Sequence, residues 1–370
     1  MDAVETTVPE TIEVEIEKPL TDTKPKTPQK TYIQVLRIIA AFLVIVNHTN
    51  SDVFLEYVTP MSFGWYLSLT YFFISKLAVP IFFMIMGALL LRKIDSPKKS
   101  FERVVRMIIA LVVYSLIYYV YFHRNTLDTM SFQDFFSLIL TKRTNNAMWY
   151  MYVYIGLLIL LPLFQRMANA FSKKATAYLI FLSVFVMGTL PLISIFYNFN
   201  LSAYFTVNFF APTIGVIFAG YFVEHYLKIN KAIVAISLLL FVCITTFEVY
   251  YTANYYPLNP KDYLILDDRD YLTITLSAIC FYIIIKYLAT LIKAGNGIKK
   301  VTCYFGSLTF GIYLISDLII NVTKPQYYSI IIHSDNVFLI TVLWQVIVFA
   351  SCALITALAK LIIPGAKKII

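Results

Sequence analysis

Long apolar stretches alternate with short polar ones from residue 31 to residue 363. Most are close to the roughly 20 residues that an α-helix needs to cross the hydrocarbon core of a bilayer. The pattern predicts ten such helices, at 32–50, 68–91, 102–122, 147–168, 175–197, 205–227, 232–253, 271–292, 301–322 and 338–363. We therefore predict an all-α, polytopic integral membrane protein with about ten transmembrane helices.

The two ends of the chain differ from the part between them. Residues 1–30 are rich in Glu, Thr, Pro and Lys and contain no apolar core, which is typical of a disordered segment. They also lack the apolar stretch and cleavage site of a signal peptide. We expect a disordered cytoplasmic tail over 1–30, a membrane domain over 31–363 and a cytoplasmic tail over 364–370.

Composition and charge agree with a membrane protein. The chain is 59% hydrophobic and 14% charged, which is unlike an ordinary soluble domain. With the N-terminus in the cytoplasm, 22 of the 30 basic residues lie on the inner side, six lie on the outer side and two lie within helices. This bias predicts that both termini are cytoplasmic and explains the net charge of +9 without a nucleic acid partner. The four cysteines lie in apolar stretches without a CxxC pattern, so we expect neither disulfides nor a metal site.

The first predicted helix carries two basic side chains, Arg37 and His48. Eleven residues of helix place them about 20° apart around the axis and about 16 Å apart along it, so both lie on one face. An arginine in a membrane helix costs at least about 2.5 kcal/mol unless it is paired, hydrated or reaches an interface. Either the two residues mark a functional stripe, or each sits at one membrane interface.

Further polar and aromatic side chains fall near the outer ends of predicted helices. Lys76, Glu248 and Asp317 are ionisable, and we predict that Lys76 pairs with Asp317 or Glu248. Such a pair either belongs to a site or only fixes packing. Trp149 and Tyr150 belong either to an aromatic belt at the interface or to a surface that stacks against sugar rings.

Two outer loops are long enough to have a role of their own. Loop 123–146 contains FQDFFSLIL, an amphipathic segment that we expect to lie along the outer surface. Loop 254–270 is polar and acidic. Each loop is either a connector or a segment that gates a site or binds an extracytoplasmic partner.

Six segments follow the order in which they occur in a known family. They are Arg37-x10-His48, AVPIFFMIMGALLL (78–91), Arg103-x-x-Arg106, MWYMYVYIGLLILLP (148–162), FAGYF (218–222) and FGSLTFGIYLIS (305–316). Together they make residues 31–363 resemble the acyltransferase family 3 membrane proteins, the surface-polysaccharide O-acyltransferases. Two positions depart from the common pattern, since Met86 stands where the family often has Ser and Ser316 where it often has His.

The resemblance implies transfer of an acyl group, typically acetyl, from cytoplasmic acyl-CoA to a hydroxyl of an extracytoplasmic glycan or glycolipid. The expected location is the plasma or inner membrane, with the lipid bilayer as surroundings and acyl-CoA as a co-substrate. CoA carries three phosphoryl groups, and Arg37, Arg103 and Arg106 offer permanently charged planar donors on the cytoplasmic side. The distance of about 16 Å between Arg37 and His48 is comparable to the reach of a pantetheine arm.

On this interpretation the outer residues carry the chemistry. His48 is the natural general base for an acceptor hydroxyl, and Glu248 or Asp317 would orient it. Lys76, Trp149 and Tyr150 are assigned to acceptor binding. Direct transfer and an acyl-histidine intermediate both remain open.

Two other classes of protein fit the same sequence. A glycan or lipid transporter or flippase would use His48 and the outer carboxylates as a proton relay. Many transporters contain internal repeats, and no repeat of fixed period is present here. A membrane scaffold or sensor would keep the fold and lack the chemistry.

Overall fold

A computed structural model describes residues 30–50, 58–125, 131–199, 211–260, 264–292 and 295–366. Regular structure in these ranges is helical, with no strand. The α-helices are α1 (Thr31–Asn50), α2 (Phe63–Ser75), α3 (Ala78–Leu90), α4 (Pro97–Phe122), α5 (Phe132–Thr141), α6 (Trp149–Ala170), α7 (Lys173–Ile180), α8 (Gly188–Phe196), α9 (Pro212–His225), α10 (Lys231–Tyr255), α11 (Leu272–Leu291), α12 (Asn296–Ile331) and α13 (Val337–Ile362). Apart from Lys30, the predicted N-terminal tail lies outside the described residues, as does 367–370 of the C-terminal tail.

The described helices confirm an all-α, multi-pass membrane protein. Nine helical units within these ranges are long and apolar enough to cross a bilayer, counting α2 with α3 and α7 with α8. They coincide with nine of the ten predicted helices. The remaining prediction, 205–227, corresponds to α9, and its first residues fall in 200–210, outside the described part of the chain.

The second transmembrane unit is interrupted at Lys76, between α2 and α3. Pro80 has no N–H to donate to the carbonyl of Lys76, four residues earlier in the chain. The N–H groups of Lys76 and Leu77 bond to carbonyls three residues back, at 3.1 and 3.3 Å. This tighter turn separates the two helices, and the sequence analysis did not foresee it.

Helices α3 and α9 cross with their backbones in contact. A Cβ atom on Gly87 would lie 1.8 Å from the carbonyl oxygen of Ile217. A Cβ atom on Gly220 would lie 2.0 Å from the carbonyl oxygen of Met84. Only glycine permits this approach, which is how small residues bring membrane helices together.

Glu224, near the inner end of α9, joins this helix to α1 and α11. Its carboxylate forms ion pairs with Lys30 and, at 3.1 Å, with Lys286. It also accepts a hydrogen bond from the hydroxyl of Tyr32. The Glu224 side chain is only 4% exposed, so removing the lysines or the Tyr32 hydroxyl would leave a poorly compensated buried charge.

The amphipathic segment of the first outer loop is helical and forms α5. Ser131 and Asp134 form a capping box that satisfies backbone N–H groups at the start of this helix. Phe135 and Ile139 form one buried face, which packs with Tyr119 of α4. Phe132 and Leu140 are exposed, so α5 keeps an apolar face for the lipid surface that the sequence analysis proposed.

We predict that Gly87→Ala destabilises the protein by about 1–3 kcal/mol, because the new methyl group would overlap a backbone carbonyl in a packed crossing. Gly156→Ala is the matched control, since a Cβ at this position in α6 meets nothing within 4 Å. Thermal unfolding in detergent and the yield of monodisperse protein measure the difference. Equal stability of the two variants would contradict the close crossing of α3 and α9.

Candidate active site

The inner cavity has a volume of about 380 Å³ and collects the predicted inner arginines. Arg37 enters from α1, and Arg103 and Arg106 enter from the first turns of α4. The two α4 residues are three positions apart and therefore share a face. The sequence analysis expected these three side chains to act together, and the structure brings them into one cavity.

Asp95 is the acidic partner in this region and lies in the turn between α3 and α4. It forms an ion pair with Arg103, and its Oδ1 lies 3.1 Å from the Lys99 ammonium. The Gln165 side chain donates to the same carboxylate at 2.8 Å. Burial by itself raises the pKa of Asp95, but the hydrogen bonds from Gln165, Arg103 and Lys99 outweigh burial and hold this pKa below its usual value.

The other two inner arginines have no acidic partner in the described part of the chain. Arg37 donates one long hydrogen bond of 3.4 Å to the Gln34 side chain. Arg106 forms no ion pair there and is exposed. Two guanidinium groups therefore remain available to an anion in the inner cavity.

The outer cavity has a volume of about 300 Å³ and contains His48. It also contains three further residues that the sequence analysis selected, Lys76, Trp149 and Tyr150. Its remaining charged lining comes from residues 267–269, just before α11, which were not assigned to the site. The polar and acidic composition of loop 254–270 was the signal that could have identified them.

The prediction that Lys76 pairs with Asp317 or Glu248 was wrong. The Lys76 ammonium lies 3.1 Å from the carboxylate of Asp267. The break between α2 and α3 places Lys76 at the cavity, and the segment before α11 lies over the same cavity and supplies the nearby carboxylate.

Asp317 lies close enough to His48 for its charge to act on the imidazole. Its carboxylate accepts hydrogen bonds from the side chains of Asn145 and, at 3.0 Å, of Asn321. Asn145 in turn accepts a hydrogen bond of 2.6 Å from the N–H of Ala147. Asp317 thereby holds the turn that leads into α6 as well as acting on the histidine.

Glu248 does not line either cavity. It is 1% exposed and lies where α10 packs against α11, near Thr273. One of its carboxylate oxygens has no hydrogen-bond partner in the described part of the chain. This position does not support a role for Glu248 in orienting His48. Asp317 does not line either cavity, but it bonds through Asn145 to the turn at Ala147, which lines the outer cavity with His48, so it is the better candidate.

Tyr150 and Tyr313 line both cavities and form the partition between them. Their rings meet edge to face, with centroids 5.4 Å apart. The Tyr313 hydroxyl donates to the carbonyl of Ala147 at 2.8 Å, which fixes this ring. Because both rings line each cavity, the two cavities adjoin at this aromatic pair, and they lie along the face of α1 that carries Arg37 and His48.

Residues that the sequence analysis did not select support the outer end of α1. The buried Gln345 of α13 donates to the Thr49 hydroxyl at 2.7 Å and accepts from the Tyr71 hydroxyl at 3.0 Å. Because Thr49 follows His48 directly, this chain of hydrogen bonds fixes the backbone that carries the imidazole. A glutamine within a long apolar helix was the available signal in the sequence.

The comparisons with known proteins give one match. A family model described as an acyltransferase domain matches residues 30–361. No curated protein and no solved structure matches the chain. The matched range begins one residue before α1 and ends within the last turn of α13, so it includes every residue that lines the two cavities.

We predict that Asp95→Asn lowers the stability of the protein at neutral pH, because Arg103 loses its acidic partner. The pair is partly buried, and a hydrogen bond to a charged group is worth about 1.5–3 kcal/mol. The pKa of Asp95 is lower in the folded than in the unfolded state, so its carboxylate stabilises the fold fully above the usual aspartate pKa of about 4. This contribution is lost as the pH falls through the lower folded pKa.

Thermal unfolding in detergent, followed from neutral to acidic pH, measures the effect. The difference between wild type and Asp95→Asn should shrink in acid, and the exposed Asp335→Asn should match wild type throughout. A difference that stays constant down to the lowest pH would contradict the role given to the Asp95 carboxylate.

Proposed function

The chain belongs to the acyltransferase family 3 membrane proteins over residues 30–361, and from this premise we propose that it is an acyl-CoA-dependent O-acyltransferase. A membrane acyltransferase follows from the family and from the apolar helices. The proposal adds that the donor is cytoplasmic acyl-CoA, with acetyl as the acyl group. It also adds that the acceptor is a hydroxyl of an extracytoplasmic glycan or glycolipid, and that the protein resides in the plasma or inner membrane.

The observation that carries the proposal is the pair of cavities that share the partition formed by Tyr150 and Tyr313. A donor held in the cytoplasm and an acceptor held outside need separate cavities, with the reacting atoms meeting where the cavities adjoin. The inner cavity is lined by three positively charged arginines, which suit a polyanion. The outer cavity is lined by the imidazole of His48.

The inner cavity suits the phosphoryl groups of CoA. Arg37 and Arg106 have no acidic partner in the described residues, and each presents several N–H donors in a planar fork that fits phosphate. Arg103 is held by Asp95, so we assign it a supporting position beside them. The uncharged pantetheine arm would then extend past Tyr150 and Tyr313 toward His48.

His48 is the proposed general base. It accepts the proton of the acceptor hydroxyl while that oxygen attacks the thioester carbonyl, so a C–O bond forms and the C–S bond breaks. The imidazolium then returns the proton to the departing CoA thiolate. Asp317 is the carboxylate proposed to orient the imidazole during this step, because it bonds through Asn145 to the turn whose Ala147 lines the outer cavity. In the variant with an acyl-histidine, the same nitrogen attacks the thioester first.

A transporter of glycans or lipids is the second candidate. The break between α2 and α3 at Lys76 favours it, because many transporters bind their substrates at interrupted helices. Such a protein would use His48, Asp317 and Lys76 to move protons. It would not release CoA from a thioester.

We predict that His48→Ala lowers acyl transfer at least about a hundredfold, the low end for a general base. The assay follows labelled acetyl groups and released CoA, in membranes that contain equal amounts of each variant together with a glycan extract. His123→Ala and His333→Ala are the controls, since neither residue lines the inner or the outer cavity. Wild-type turnover by His48→Ala would refute the assigned base, and a wild type that never releases CoA would favour the transporter.

We predict that Arg106→Gln raises the KM for acetyl-CoA by at least about tenfold and leaves kcat nearly unchanged, because a hydrogen bond to a charged group is worth about 1.5–3 kcal/mol. Arg37→Gln should act in the same direction. Arg166→Gln is the control, an exposed cytoplasmic arginine outside the inner cavity. An unchanged KM in both cavity variants would remove the inner arginines from donor binding.

A further inference from the structure

A third cavity, of about 480 Å³, lies at the outer end of α6. It is lined by Arg143, Trp149, Tyr152, Val153 and Arg269. Trp149 and Arg269 also line the outer cavity, so the third cavity adjoins it. We call this third cavity the outer mouth.

The charge of the outer mouth differs from that of the outer cavity. In the outer cavity, Lys76 and Arg269 stand with Asp267 and Asp268, so the lining charges cancel. The outer mouth is lined by two arginines and no carboxylate among the described residues. A negatively charged group is therefore attracted to the mouth more strongly than to the cavity beyond it.

Arg269 is held in place without using up its hydrogen-bonding capacity. Its guanidinium lies 4.1 Å from the centre of the Trp149 ring. Asp270 forms a long ion pair with Arg269, with a carboxylate oxygen 3.7 Å from Nη2, which is beyond hydrogen-bonding distance. The other oxygen of that carboxylate accepts a bond from Thr213. The Nε of Arg269 is buried and has no hydrogen-bond partner in the described part of the chain.

Arg143 supplies the second charge from the segment between α5 and α6. It is exposed and forms no ion pair with the described residues. The neighbouring Tyr152 hydroxyl already donates to the carbonyl of Ile139 at 3.0 Å, so it does not compete for a ligand. Basic residues are few on this side, six of 30 on the predicted topology, yet two of the six meet here.

We propose that the outer mouth binds an anionic saccharide, with its phosphate or carboxylate between Arg143 and Arg269 and a sugar ring against Trp149. Arginine suits both anions, because its planar fork donates two parallel hydrogen bonds to either one. The inference rests on the proposed function and narrows it, since the acceptor hydroxyl then belongs to an acidic glycan. The charged group stays at the mouth, and a hydroxyl of the same chain reaches His48.

The test measures binding without any acyl donor. The probes are glucuronate, glucose 6-phosphate and neutral methyl glucoside, added at low ionic strength to the purified full-length protein in lipid nanodiscs. Trp149 reports binding through its fluorescence, because Trp65 and Trp344 are buried in the two main hydrophobic clusters. Trp149→Phe shows which part of the signal comes from the mouth.

We expect at least one anionic probe to bind about tenfold or more tightly than methyl glucoside, which corresponds to about 1.4 kcal/mol. The probe that binds tells whether the natural charge is a carboxylate, a phosphate or either one. The double variant Arg143→Gln/Arg269→Gln should lose this preference. The charge-matched control Arg124→Gln/Lys324→Gln changes two other outer basic residues and should keep it.

Three results would overturn the inference: equal binding of the neutral and anionic probes, no binding of either anion, or a preserved preference in the double variant of the mouth. These results leave the proposed function standing if wild type still releases CoA. Conversely, anion binding by a protein that never releases CoA would retain the mouth as a site and reject acyl transfer.

Discussion

A bilayer does not tolerate an isolated charge, and this constraint accounts for the architecture around α1. Arg37 and His48 are the two basic residues of α1 and lie on one face of it, so that face must adjoin polar partners or water. The structure meets this need with two cavities, one at each residue, rather than with a single buried ion pair. Most of the other polar contacts described here hold the helices that form these cavities in position.

The positions of those helices depend on contacts at both ends of the bundle. At the inner end, Glu224 joins α1, α9 and α11. At the outer end, Gln345 joins α13 to α1 and α2. Between them, Gly87 and Gly220 bring α3 and α9 together so closely that little tilt is available. The helix α1 itself fixes the separation of Arg37 and His48. The contacts between helices hold the other walls of the two cavities in position around these residues.

The fold was largely predictable from the sequence, because hydropathy and the distribution of basic residues report directly on membrane crossing. That Arg37 and His48 lie on one face of α1 was also predictable, because helix geometry alone places them there. The ion-pair partner of Lys76 was not predictable from the sequence. It depends on a break caused by Pro80 and on how a loop before α11 lies over the bundle, and neither follows from periodicity. Arg269 was missed similarly, because loop residues find their neighbours only in three dimensions.

The partition formed by Tyr150 and Tyr313 has an electrical consequence. Where water enters a cavity from either side, the transmembrane voltage falls mainly across the dry layer that remains, and here that layer includes the rings of Tyr150 and Tyr313. An ion that crossed this layer would move through most of the voltage, at about 2.3 kcal/mol per charge for each 100 mV. A neutral group would cross it with no electrical work. The same two rings can thus insulate the membrane between two polar cavities and still set no electrical barrier to uncharged groups.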